Sequence, residues 1–253
     1  FPGFVNPGDM RELKRIARLM GLRFVMFPDT SRVMDAPMSG RYEMYPKGGT
    51  SIPEIVSLGD CQGVLALGEV TSFEPAELMK KKFGVPYSLL KLPVGVELTD
   101  RYVMALSQIT KREVPEELEE QRGQLVDILM DSQQYTYGKS VAIFGDPDTV
   151  IGLTHLCLEM GMLPKYVVTG TPKEDFRPLV EAALEHAGAV GCTVKPGADL
   201  FEMHQWIKND PVDLLLGTSY GKQIAKAEDI PFVRAGFPIL DRYVHSYFPM
   251  VGY

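Results

Sequence analysis

The sequence has little cysteine, little tryptophan and no long apolar run. It contains three cysteines and one tryptophan in 253 residues. Cys61, Cys157 and Cys192 are too far apart for a C-x-x-C motif or a paired disulfide framework. We expect them to pack as small hydrophobes in a reducing compartment, with the cytoplasm as the location. Since no apolar run reaches the length of a membrane span and no signal-peptide pattern is present, no membrane role is expected.

An excess of positive charge is also absent. The net charge is −7 and the sequence pI is about 5.2, whereas a nucleic-acid-binding surface usually shows a basic stripe. The densest basic run, Lys80 to Lys82, is expected at the end of a helix, where cations suit the negative end of the helix dipole. The sequence therefore predicts no nucleic-acid partner.

Local motifs for common catalytic and metal sites are missing too. His155, His186, His204 and His245 do not pair as H-x-x-x-H or H-E-x-x-H, and no G-x-S-x-G turn exists. We assign no catalytic and no metal-binding residue from the sequence, and we expect His155 to be a core or groove residue of a helix.

Helix and strand patterns alternate along most of the chain. Residues 1–98 carry a helix near "NPGD", capped by Asn6 or Asp9, and predicted strands at "LRFVMFP", "GVLALGE" and "VPYSLLKLPVG". A helix in "GGTSIPEI" is predicted from the capping-box spacing of Ser51 and Glu54. Such alternation is typical of a parallel sheet covered by helices.

Two helices are expected to join this first unit to a second one. Residues 99–138 read as connecting helices, the first capped by Thr99. Residues 139–253 alternate strands and helices again, from "KSVAIFG" to "IPFVRAGFP". The predicted fold class is α/β, with two Rossmann-like, doubly wound parallel-sheet domains joined by helices.

The stretch "GDPDTVIG" lies where such folds place a phosphate loop. It has glycines at Gly145 and Gly152 only, so it matches neither G-x-G-x-x-G nor the P-loop pattern. Asp146 and Asp148 put negative charge where a phosphate needs backbone donors. We interpret the turn mainly as architecture, with an aspartate capping the helix; a role of Gly145, Asp146 and Asp148 in a cleft between the lobes stays open.

A second turn of the same kind is "GTSYGK". Ser219 is expected to cap the following helix, and Tyr220 and Lys222 are candidates for contact with a ligand or partner chain. These residues complete a weak set of candidates for cofactor binding.

Seven stretches in order along the chain carry a resemblance to a known family. They are "GFVNPGDMRELKR", "FPDTSRVMDAP", "YPKGGTSIPEI", "RGQLVDILMDS", "GDPDTVIGL", "PVDLLLGTSYGK" and "VRAGFPILDR". Together they resemble nitrogenase component-1 proteins, on the β-subunit side. The resemblance implies three Rossmann-like domains, of which this chain supplies the second and the third, C-terminally truncated. The start at Phe1 and the end at "MVGY" are expected to be those of a piece of a longer protein.

The resemblance also implies partners and cofactors. In the family, the β chain pairs with a homologous α chain as an α₂β₂ assembly, and an ATP-dependent iron protein delivers electrons. The iron–sulfur P-cluster is held through cysteines of the first domain, and the α chain carries the iron–molybdenum cofactor. Cys61, Cys157 and Cys192 do not fall in those motifs, so we expect no cofactor in this fragment and no activity from it alone.

Alternatives remain within and outside the family. A β-like chain of the cofactor-assembly scaffold shares "GGTS" and "RAGFP" with this sequence, and another nitrogenase-like reductase, with a tetrapyrrole or sulfur substrate, would show similar motifs. A two-lobed small-molecule binding module is the alternative from fold analogy. The metal of the active cofactor is not indicated by the sequence.

Overall fold

The computed structural model describes residues 1–3, 5–242 and 244–253, and in it helices alternate with parallel strands, which confirms the predicted α/β class. The α-helices are α1 (Pro7–Leu19), α2 (Ile52–Val56), α3 (Phe73–Phe83), α4 (Val96–Thr110), α5 (Glu116–Thr136), α6 (Pro147–Glu159), α7 (Phe176–His186), α8 (Leu200–Asn209) and α9 (Lys222–Ala227). The strands are β1 (Val64–Leu67), β2 (Tyr87–Leu90), β3 (Ser140–Gly145), β4 (Leu163–Thr169), β5 (Thr193–Pro196), β6 (Leu214–Gly217) and β7 (Phe232–Arg234).

The larger sheet has five parallel strands in the order β5-β4-β3-β6-β7. The chain first builds outward from β3 to β5 and then returns to the other side of β3, so the order reverses between β3 and β6. This is the doubly wound arrangement predicted for the second unit. Ile143 of β3 lies between Val167 of β4 and Leu216 of β6, and all three are buried, because helices cover both faces of a parallel sheet.

One edge strand of this sheet was not predicted. β5 is four residues long and ends at Pro196, and a proline within an apolar run argues against a strand. The strand lies at the sheet edge, which is where a proline without an N–H group is tolerated.

The smaller sheet consists of β1 and β2, paired in parallel with Val64 opposite Tyr87. The strand predicted at "LRFVMFP" is wrong, because residues 22–28 form no ladder within the described chain. Leu22, Phe24 and Met26 pack against the core instead. The apolar residues alternate because one side of this extended segment packs against the core, although the segment is not part of a sheet.

Local capping signals set several helix ends. α1 begins after Asn6, whose backbone N–H donates to Asp9 Oδ2 at 3.1 Å, and has proline at its first position. Asn6 is thus the cap, and Asp9 is its partner in the first turn. α2 has the predicted capping box of Ser51 and Glu54, and α3 stops at Gly84, which takes the left-handed conformation that favours glycine.

The predicted start of α4 at Thr99 is wrong, since the helix begins at Val96. Glu159 accepts hydrogen bonds from the backbone N–H groups of Val96 and Glu97 at 2.9 and 2.8 Å, and so caps the helix from α6. Thr99 is buried in the first turn, where its hydroxyl contacts the carbonyl oxygens of Pro93 and Gly252. A side chain distant in the sequence replaces the local cap.

One buried apolar cluster runs through both sheets. It includes Leu67 at the end of β1, Leu92 between β2 and α4, and Val141 and Ile143 of β3. The division into 1–98, 99–138 and 139–253 remains a prediction, and the structure adds that the first and last of these ranges share core. Of the 21 residues of α5, Leu118 alone is classed as buried. No helix in the described ranges is both long and apolar enough to cross a membrane.

Candidate functional site

The turns after β3 and β6 meet at the point where the strand order reverses. A methyl group added at Gly145 would lie 3.9 Å from Thr218 Cγ2, so the two turns are in contact. In open α/β sheets, ligands bind in the crevice at this edge. The structure therefore brings Gly145 and Asp146 close to Ser219, so that these candidates for cofactor binding lie at one crevice.

Asp148 binds the first unit of the chain. Its carboxylate accepts hydrogen bonds from Val70 N at 3.0 Å, from Thr71 N at 2.8 Å and from Thr71 Oγ1 at 2.6 Å. Only 2% of the residue is exposed. Because three donors already surround this carboxylate, it joins the first turn of α6 to the turn after β1 and does not face the crevice.

Asp146 is the N-cap residue of α6, and its side chain makes no capping hydrogen bond. The Oδ1 atom is buried and has no hydrogen-bond partner among the described residues. Burial, followed by the nearby charge of Asp148, raises the pKa of Asp146 to about 7. At neutral pH this carboxyl is poised between its protonated and ionised forms, which distinguishes it from an ordinary helix cap.

Ser219 does not cap the following helix, so that prediction is wrong. Its hydroxyl donates to Pro238 O at 3.2 Å and accepts from Leu240 N at 3.1 Å, and α9 starts after Gly221. The serine is used to hold the segment that follows β7, and this contact could not be read from local spacing.

Lys222 and Tyr220 lie at the outer rim of the crevice. The Lys222 ammonium is 3.4 Å from Asp241 Oδ2, and Arg234 donates to both oxygens of Asp241 at 2.7 and 2.6 Å. These cations hold the pKa of Asp241 down at about 2. Tyr220 is 56% exposed. Lys222 therefore serves an ion-pair network, and both Lys222 and Tyr220 are exposed to solvent.

The crevice is covered by residues 235–242 of the chain itself. Ala235 N donates to Gly217 O at 2.8 Å, and a methyl group at Gly236 would lie 3.3 Å from Thr149 in the first turn of α6. These two contacts place the segment against the end of β6 and the first turn of α6. Ligand binding by the candidate residues remains a prediction.

His155 lies on α6 and is buried, as expected for a core or groove residue. Its Nδ1 is 3.8 Å from Glu97 Oε2, and its Nε2 has no hydrogen-bond partner in the described chain. Burial, and next the charge of Lys91, lowers the pKa of His155 to about 4. The imidazole is consequently neutral at physiological pH.

The cysteines do not form a metal centre. In the described ranges, no three side chains of His, Cys, Asp or Glu come together in a way that could hold a metal ion. Cys61, Cys157 and Cys192 are free thiols. Burial raises the pKa values of Cys157 and Cys192 to about 12, whereas a metal ligand must be a thiolate. The three thiols are therefore not gathered with other potential ligands into one site within the described residues.

Sequence reasoning missed a cavity beside α1. Two adjoining spaces of about 340 and 450 Å³ share Lys14, Arg18, Asp29 and Gly49 in their walls. The spacing of Arg11, Lys14 and Arg18 could have indicated this cavity, because it places three cations on one face of a helix.

Comparison with known proteins gives a consistent result. The family model described as "Nitrogenase component 1 type Oxidoreductase" matches residues 1–253. The nitrogenase molybdenum-iron protein β chain of Clostridium pasteurianum is 52% identical over 252 residues, which cover 100% of this chain and 55% of the relative. The corresponding chain of Frankia alni is 40% identical, with 100% of this chain and 48% of the relative covered. The chain thus spans about half the length of the curated relatives it matches.

Solved structures agree with the sequence comparison. A chain of the structure titled "Nitrogenase Cp1 at pH 6.5" superposes with a TM-score of 0.97 and 51% identity, covering 99% of this chain and 55% of that one. A chain of "Nitrogenase Cp1 at pH 5" superposes with a TM-score of 0.64 and 13% identity, covering 97% of this chain and 51% of that one. The second likeness shows the fold alone.

Proposed function

The chain belongs to the nitrogenase component 1 type oxidoreductase family, and from this premise we propose that it is part of a molybdenum-iron protein β subunit. The whole protein would be one subunit of a multi-chain reductase, in which an ATP-dependent iron protein supplies electrons for dinitrogen reduction. The observation that carries the proposal is 52% identity along the entire chain with a β chain of that name.

The role proposed for these residues is that of a frame. A thiolate-bound cluster needs several converging sulfurs, and the three cysteines here do not converge on a metal centre. The P-cluster and the iron–molybdenum cofactor of the complex would therefore be held by other segments and by the partner chain. We expect residues 1–253 alone to be inactive.

A homologous α-type chain in an α₂β₂ assembly is the proposed partner, beside the iron protein. Support comes from large apolar side chains that are exposed in one stretch of the chain, since extended apolar surface marks interaction sites. Between residues 33 and 56 these are Val33, Met34, Met38, Tyr42, Met44, Tyr45, Ile52, Ile55 and Val56. The free thiols are consistent with the proposed cytoplasmic location.

The test is reconstitution of the complete complex. The full-length subunit would be co-produced with its α-type partner, and ammonia formed from dinitrogen would be measured with the iron protein and ATP. We expect ammonia formation that stops when either ATP or the iron protein is omitted.

Two other outcomes would contradict the proposal in different ways. Bound cluster with negligible dinitrogen reduction would identify an assembly scaffold. Reduction of a tetrapyrrole or a sulfur compound in place of dinitrogen would identify another reductase of the family.

A further inference from the structure

We propose that the cavity beside α1 binds a small multivalent oxyanion. This basic groove is defined by Arg11, Lys14 and Arg18 of α1, by Arg23, by Arg32, and by the glycine turn at Gly48 and Gly49. The proposal goes beyond the reductase function, because the proposed function assigns none of these residues a role.

The groove concentrates positive charge in an acidic chain. Five cationic side chains line it against two acidic ones, Asp29 and Glu54, while the chain as a whole carries a net charge of −7. Asp35 lies behind the wall, ion-paired with Arg11, and including it leaves a local net charge of +2. The negative end of the α1 dipole is equivalent to about half an elementary charge, so the side chains decide the sign.

The acidic residues of the groove are already engaged. Asp29 Oδ2 lies 2.5 Å from Lys14 Nζ, and Asp29 Oδ1 accepts from the N–H and hydroxyl of Ser31 at 2.9 and 2.7 Å. Glu54 Oε2 accepts from Ser51 N and Oγ in the capping box of α2. Both carboxylates therefore have donors of their own, and their negative charges are already included in the local net charge of +2.

Three arginines remain available to a ligand. Arg18, Arg23 and Arg32 have no carboxylate within ion-pair distance in the described chain, and the Arg18 guanidinium lies 6.0 Å from the centre of the Phe24 ring. A guanidinium presents a planar fork of donors that matches carboxylate and phosphate oxygens. Because the arginines line two adjoining spaces, the ligand that fits has more than one anionic group.

The glycine turn on the opposite wall packs closely against the loop at residues 29–31. Gly49 has a φ of +69°, and a methyl group there would lie 2.8 Å from Asp29 O. Its N–H donates to Ser31 O at 3.1 Å, which joins the two loops. A combined space of this size is within the range of small-molecule sites.

The experiment measures binding of pyrophosphate and of propane-1,2,3-tricarboxylate to the full-length subunit in its native assembly, by titration calorimetry at low ionic strength. We expect saturable binding of at least one of them, weakened at least tenfold in Arg18→Gln/Arg23→Gln. The comparison between the two probes tells phosphate chemistry from carboxylate chemistry.

The matched control is Lys81→Gln/Lys82→Gln, which removes the same charge from the exposed last turn of α3. It should change the dissociation constant less than twofold. If the first variant does not assemble, Arg32→Gln on the opposite wall should weaken binding at least threefold. Absence of saturable binding of both probes, or equal weakening in the control, would overturn the proposal.

Discussion

Replacement of Asp146 by asparagine should stabilise the protein more at pH 8 than at pH 5. The carboxyl at the start of α6 has a pKa of about 7 in the folded chain, against 3.8 as the ordinary value. The folded state therefore holds the proton more tightly than the unfolded state. For an acid shifted in this direction, ionisation lowers the stability of the fold progressively between about pH 4 and pH 7.

The size of the effect follows from the shift and the environment of the side chain. The rise from 3.8 to about 7 corresponds to at most about 4 kcal/mol, since one pKa unit is worth about 1.4 kcal/mol. Part of this destabilisation is already present at pH 5, and Asp146 is only half-buried. After allowance for solvent screening, the stabilisation by Asp146→Asn should be larger at pH 8 than at pH 5 by about 1–2 kcal/mol. The α6 dipole favours the ionised form by about 0.3–1 kcal/mol, which reduces the difference without reversing it.

The assay is urea unfolding of the wild type and of Asp146→Asn at pH 5 and pH 8. The Asp146 side chain makes no capping hydrogen bond, and asparagine is as good an N-cap as aspartate, so the exchange removes no capping contact. Asp175→Asn, at the exposed N-cap of α7, serves as the control for loss of one surface charge. The reasoning would be refuted by a stability difference for Asp146→Asn that is the same at both pH values, or by an equal pH dependence in the control.

Three further outcomes are expected. Asp148→Asn should lower the free energy of unfolding by about 2–4 kcal/mol, because an amide cannot accept all the hydrogen bonds that the charged carboxylate accepts. Thr71→Ser keeps the hydroxyl and should cost less than half as much. Equal urea midpoints for the two variants would contradict the role given to the Asp148 carboxylate. Gly217→Ala should cost about 2–4 kcal/mol, since its Cβ would clash with the buried Phe144 ring. Gly123→Ala, with open space around it, should be neutral or slightly stabilising in the same assay. The purified 253-residue chain should show no iron–sulfur absorption in the visible range, and a band that survives chelation would place a cluster in these residues after all.

Short-range features were predictable because their causes lie within a few residues. The proline and acids at the start of α6, the capping box of Ser51 and Glu54, and the glycine that ends α3 are each visible as local spacing. Central strands such as β3 and β6 were visible as apolar runs, since both of their faces are covered. The α/β class follows from the alternation of such signals.

The candidate site was predicted only as a position along the chain. The sequence placed "GDPDTVIG" and "GTSYGK" at the ends of strands, and adjacency of the strands then brought the two turns together. It did not indicate that Asp148 would bind Val70 and Thr71, or that residues 235–242 would cover the crevice.

By itself, the sequence determined where most of the helices and strands form, which family the chain resembles, and that its cysteines lack the spacing of a metal centre. Only the tertiary structure decided the roles of its polar side chains. Asp9, which looks like part of a local cap, is buried and also accepts from the backbone N–H groups of Met250 and Val251, and Glu159 caps a helix from another element. Local propensity acts over a few residues, whereas a buried carboxylate takes whichever donors folding brings near, and those donors lie far away along the chain.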